Sequence, residues 1–130
     1  MMKSITLLGG VIIALLSVPA LASPAKVNGE ISYKNDVFPI LHDYCLSCHQ
    51  PGGKGFERSG LDMSTYQSLM KGTKFGIVIK PGDSFTSVII QVIEGRVHAA
   101  IKMPFGMNGG LARDKIEILK NWVDQGAKDN

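Results

Sequence analysis

The run Cys45-Leu46-Ser47-Cys48-His49 holds both cysteines of this 130-residue chain and one of its three histidines. Cys-x-x-Cys-His is the spacing of a covalent attachment site for c-type haem. Residues three and four apart share one face of a helical turn, so Cys45, Cys48 and His49 can address a single object. Two such thiols can each add to a porphyrin vinyl group as a thioether, and the adjacent imidazole can ligate the iron as its proximal ligand. The chemistry encoded is one-electron transfer. A zinc site is the competing use of these atoms, but its four ligands, or three and an open position, would have to draw on His42 and His98. A thioredoxin-like thiol pair follows a strand in a β-α-β unit; no such pattern surrounds this pair, and His49 would have no role in it.

Iron held from one side needs a second axial ligand, and residues 97–110 supply the candidates: Val-His-Ala-Ala-Ile-Lys-Met-Pro-Phe-Gly-Met-Asn-Gly-Gly. Pro104 biases the residue before it away from the helical region, so Met103 belongs to an extended strap. Gly106, Gly109 and Gly110 let the backbone come close to a flat ring. A thioether is a neutral, soft ligand that favours ferrous iron and raises the reduction potential. Met103 is therefore placed ahead of Met107 for the sixth position, with His98 as a third choice that would give bis-histidine ligation and a lower potential. His42 sits on the same short helix as the motif, too close to reach across the ring. Met63 and Met70 fit ordinary packing.

The elements that must position these groups are helical. Residues 31–49 carry Val37, Ile40, Leu41 and Tyr44 at helical spacing, with Pro39 requiring that the helix start or bend there. Gln50-Pro51-Gly52-Gly53-Lys54-Gly55 cannot stay helical and reads as the chain leaving the haem edge; it lacks the spacing of a phosphate-binding loop. Ser64-Thr65-Tyr66-Gln67 has the form of a capping box opening a short helix that runs to Lys71 and stops at Gly72. Residues 75–79 are apolar but have no partner strand, so they form an extended connector. Pro81-Gly82-Asp83 turns the chain, and Ser84 caps a helix whose Val88, Ile89, Val92 and Ile93 face inward before Gly95 ends it. Residues 113–125 form the clearest helix, with Ile116, Leu119, Trp122 and Val123 on one side and Gly126 as the stop. Trp122 reads as core, and Asp114, Glu117, Lys120 and Asp124 as a solvated face.

The first 22 residues open with Lys3, continue through an apolar stretch at 5–18 and end Pro19-Ala20-Leu21-Ala22, the layout of a secretory signal peptide. The expected division is a signal peptide at 1–22 and one domain at 23–130, with periplasmic localisation and no stable membrane span after cleavage. The alternative is a retained anchor, since the apolar run approaches bilayer-spanning length. Export fits the chemistry, because haem is joined to thiols outside the bacterial inner membrane. A domain of this size buries limited apolar surface, so a central porphyrin would supply much of its core. Without Lys3 the chain carries 13 basic and 11 acidic residues, and a basic patch interleaved with aromatics is absent, which argues against nucleic acid.

Taken together, these stretches resemble the small monohaem c-type cytochromes, and among them the planctomycete-type cytochrome c group. The residues that carry the resemblance are 37–41, the haem motif, Gly60-Leu61-Asp62, Lys80-Pro81-Gly82-Asp83-Ser84, Met103-Pro104, Leu119-Lys120-Asn121-Trp122 and Gly126-Ala127, together spread over about four-fifths of the chain. The resemblance implies an all-α, class I-like helical fold in which the first and last helices cross. It also implies one haem c held by Cys45, Cys48 and His49, with Met103 as the distal ligand. Related sequences often read Met-Pro-Pro where this chain has Met103-Pro104-Phe105. The implied function is single-electron transfer between redox partner proteins, a dehydrogenase or terminal oxidase among them, rather than an enzyme activity. The other class is a haem sensor or peroxidase-like protein with a displaceable sixth ligand, for which Arg96 and His98 are a thin supply of distal polar groups.

Overall fold

The computed structural model describes residues 29–130. The signal-peptide segment at 1–22 and its cleavage point before Ser23 lie outside these residues. Among the described residues no helix is long and apolar enough to cross a membrane.

Five short α-helices wrap one apolar cluster: α1 Phe38–Tyr44, α2 Lys54–Ser59, α3 Tyr66–Lys71, α4 Val88–Glu94 and α5 Arg113–Asp124. There is no strand among the described residues; Phe75, expected to open an extended connector, lies instead in a turn closed by the Thr73–Gly76 β-bridge, and the chain from 77 to 79 is irregular. The architecture is all-α, as expected.

Pro39 shapes the way the chain enters α1. It sits in the first turn of that helix, where its missing N–H costs nothing. The turn before it, Tyr33–Val37, is π-helical: the Val37 amide reaches back five residues to the Ser32 carbonyl, and the Phe38 amide to the Tyr33 carbonyl. The wider turn carries Tyr33 and Val37 into the core while Lys34 and Asn35 stay in solvent.

Tyr33 is also where the two ends of the domain meet. Its ring lies 5.5 Å from Trp122 of α5, 5.2 Å from Tyr66 of α3 and 6.0 Å from Phe38 of α1, centroid to centroid. Trp122 is 1% exposed and donates its indole N–H to the Lys128 carbonyl, so a large apolar group is buried with its one polar atom satisfied. Polar bonds close the same junction. The Ile31 amide donates to Gln125 Oε1, Gln125 returns a bond to the Gly29 carbonyl, and the Tyr33 amide donates to Asn130 Oδ1. The first and last helical segments thus pack on one another, in agreement with the resemblance.

Several details depart from the sequence reading. The segment after the haem motif is not wholly irregular: α2 starts at Lys54 and takes in Gly55. The capping box opens one residue later than expected, with Thr65 as the cap and Ser68 as its reciprocal partner, because a short serine at the third helical position reaches the cap amide. Ser84 does not cap α4. That place belongs to Ser87, whose hydroxyl donates instead to the Asp83 carbonyl, so Ser84 lies in the preceding turn. The later start rotates the buried face of α4 to Ile89, Ile90 and Ile93, and Val88 is left exposed.

Candidate haem site

Cys45 ends α1. Its amide still donates to the Leu41 carbonyl, but its backbone leaves the helical region. Its carbonyl then accepts from both the Cys48 amide (3.2 Å) and the His49 amide (3.0 Å), so the motif folds into the helical turn its spacing predicts. The three side chains differ in environment. Cys45 is half-buried and Cys48 exposed, both as free thiols, while His49 is 8% exposed. Burial, with Cys48 beside it, pushes the Cys45 thiol up to about 11. Burial likewise lowers the His49 pKa below the usual histidine value, against a smaller opposing effect of the Leu61 backbone, and this favours the neutral imidazole that a metal requires.

His49 is held from several sides. Its carbonyl accepts the Met63 amide at 2.7 Å, which brings the 61–63 stretch alongside the motif. Gly53 and Gly55 fold back onto it: the Phe56 amide donates to the Cys48 carbonyl, and neither glycine has room for a side chain on that side. The loop that the sequence reads as departing folds back onto Cys48 and His49. The signal was the pair of glycines two apart. Within this packing His49 Nδ1 is buried and makes no hydrogen bond of ordinary geometry, with the Leu61 backbone beside the ring.

The strap is built as a closed bend. His98 Nδ1 accepts the Ala100 amide at the start of a 3₁₀ turn, Ala99–Ile101. Beyond it the Met103 amide donates to the Val92 carbonyl of α4 at 3.0 Å, and the Met103–Pro104 peptide is cis. Gly106, Gly109 and Gly110 all have positive φ, which a residue with a Cβ adopts only under strain. The Lys102 stem runs between Gly95 and Gly110, within van der Waals reach of a Cβ built at either. Of the sixth-ligand candidates, Met103 is half-buried and packs against the core cluster, Met107 is exposed, and His98 is exposed with Nδ1 engaged. His42 is exposed and bonded to Asp43. Met63 is buried and Met70 half-buried in the apolar cluster, as ordinary packing.

These residues fit a porphyrin. Two free thiols stand beside a buried neutral imidazole whose Nδ1 makes no hydrogen bond of ordinary geometry, and the strap turns Ile101, Phe105 and Met107 outward as uncovered apolar surface. Residues 45–104 match the family model described as Planctomycete cytochrome C. Over this span the chain is similar to the planctomycete-type cytochromes c. No curated protein and no solved structure matches the chain. The cytochrome match starts on the first haem cysteine and ends on the proline after Met103, so it bears out the resemblance across both the motif and the strap. The stretches at 37–41 and 119–122 lie outside it. For a c-type cytochrome the implied cofactor is haem c, and the implied chemistry is haem-based electron transfer rather than turnover of a substrate.

Proposed function

We propose that this protein is an exported monohaem c-type cytochrome that carries single electrons between redox partner proteins in the periplasm. Cys45 and Cys48 would form the two thioethers to the haem, and His49 and Met103 would ligate its iron. Once bound, the haem supplies a one-electron iron couple. The chain's own contribution is to hold the imidazole neutral and dry, to present a thioether from the strap, and to exclude water with the apolar residues around it.

The observation that carries this reading is the buried His49 imidazole, with no hydrogen bond of ordinary geometry at Nδ1, one residue from a free thiol in the matched span. The groups that peroxide chemistry would need are committed elsewhere. Arg96 is bonded to Glu94 and to the Phe85 carbonyl and stacks over the Phe85 ring at 4.8 Å, while His98 caps a turn. Both facts favour a carrier. A dehydrogenase or a terminal oxidase are the fitting classes of redox partner.

The test is a pyridine haemochrome assay with intact mass on protein secreted by a host that matures c-type cytochromes. One haem per chain, retained through acid-acetone extraction, and a mature mass beginning at Ser23 are the expected results. Colourless extracted protein would overturn the reading.

A further inference from the structure

Metal-bound histidines ordinarily donate their second ring N–H to a carboxylate, a carbonyl or water, and that bond fixes the ring's orientation. In His49 the Leu61 backbone stands in that place, but Nδ1 makes no hydrogen bond of ordinary geometry although the residue is 8% exposed. Packing must therefore share in the orienting, and Gly55 packs against the ring. A Cβ at position 55 would stand 2.8 Å from His49 Cε1, 3.0 Å from His49 Nδ1 and 2.9 Å from the Cys48 carbonyl oxygen. All three lie inside the optimal separation of non-bonded heavy atoms, roughly 3.5–4.0 Å for a carbon pair.

Nothing in the backbone asks for glycine there. Gly55 is absent from the positive-φ glycines of the chain, and it lies inside α2, where alanine is the better helix former. Gly52 is the contrast: it has φ +86° and nothing within 4 Å of a Cβ, so it serves the turn alone. At Gly55 the absence of a side chain serves the imidazole.

We propose that Gly55 is a positioning residue for His49. Its bare Cα lets the ring sit at the depth and rotation that the loop imposes, and so sets how strongly the ring nitrogen donates to iron. The inference rests on His49 being the proximal ligand. A Cβ at this point displaces the ring or the Cys48 carbonyl. Because nitrogen donation stabilises ferric iron, a withdrawn ring shifts the couple toward the ferrous form.

The experiment compares the wild-type holoprotein with Gly55→Ala by haem stoichiometry, redox titration and ferric electron paramagnetic resonance. The expected result is one haem per chain in both, a several-fold lower ferric-to-ferrous ratio in the variant at the wild-type midpoint potential, and altered g-values. A variant with unchanged potential and g-values, even if less stable, overturns the positioning role and leaves the haem reading intact. A wild-type chain without haem overturns both. Should Gly55→Ala fail to accumulate, His49→Gly and His49→Gly/Gly55→Ala are each supplied with free imidazole, whose ring is untethered. Matching low-spin spectra from the two support the proposal. Failure of the double variant alone shows that position 55 acts on loop folding, and overturns it.

Discussion

Ser84 gives both of its donors to Asp124: its amide reaches one carboxylate oxygen at 2.8 Å and its hydroxyl the other at 2.9 Å. Ser84 is 6% exposed, and the neighbouring Gly82 amide donates to the Val123 carbonyl at 2.7 Å. The turn that follows the connector is therefore hooked to the last residues of α5. Asp124 is exposed, as the solvated face expects, and its carboxylate also closes this joint. Hydrogen bonds to a charged group contribute about 1.5–3 kcal/mol, and a buried donor left unpaired adds its own penalty. Asp124→Ala should lower the holoprotein's stability by about 2–3 kcal/mol, read as a lower urea midpoint at unchanged slope. An unchanged midpoint would mean that water replaces the carboxylate without loss.

Trp122 is the largest fully buried side chain, and it touches the Tyr33 ring while bonding the Lys128 carbonyl. Removing a buried tryptophan costs about 3–5 kcal/mol, a large part of a small domain's stability. Trp122→Ala should therefore yield little folded holoprotein. Trp122→Phe keeps the ring contact but strands the Lys128 carbonyl, and should cost about 1–3 kcal/mol. Thermal unfolding followed by haem absorbance and by far-ultraviolet dichroism would order the two.

The helices were legible where periodicity and stop signals agree: α3 and α5 end at or next to Gly72 and Gly126, and Trp122 is core as its neighbours imply. The boundary at α4 was not, because Ser84 and Ser87 are equally good caps in sequence and only the Asp124 bond decides between them. The motif at 45–49 was readable because its chemistry is local. The seating of His49 was not, since it depends on Gly53 and Gly55 coming back over the Cys48 carbonyl, a contact no spacing rule describes. Met103 was singled out through Pro104, a local restriction, and it lies half-buried against the core.

Glu94 closes α4 onto α5 by pairing with Arg96 and, at 3.0 Å, with Lys120. Burial alone would raise its pKa, but the bonds and charges of Arg96 and Lys120 outweigh this and leave it below the ordinary 4.5. The unfolded chain then binds more protons than the folded one between these two values. The stabilisation is thus complete above 4.5 and is lost as pH falls through the folded value. Glu94→Gln should be less stable than wild type at neutral pH and converge with it in acid. Urea midpoints measured from neutral pH down to about pH 3 would show parallel curves if the carboxylate played no part.

Lys54, Lys71, Lys74, Lys80 and Lys102 are all exposed, and Lys74 lies over the exposed Phe75 ring at 5.2 Å. Charges of one sign beside uncovered apolar surface steer an acidic partner, and salt screens that steering over about 8–10 Å at physiological ionic strength. Electron transfer with an acidic redox protein should slow as salt rises, and Lys74→Glu should weaken the dependence. Stopped-flow rates that ignore ionic strength would remove these lysines from the docking face.

The axial assignment is the sharpest of these tests, because its three candidates differ in what already holds them. Met103 is anchored by its amide to Val92 and half-buried, Met107 is free in solvent, and His98 would have to give up the Ala100 amide to turn a nitrogen toward iron. Met103→Ala should abolish the methionine-to-ferric-iron charge-transfer band, lower the potential and open the ferrous iron to rapid carbon monoxide binding. Met107→Ala and His98→Ala should retain the band. Its survival in Met103→Ala together with its loss in Met107→Ala would move the ligand four residues along the strap, to a side chain that Gly106 and not the Val92 bond would have to position.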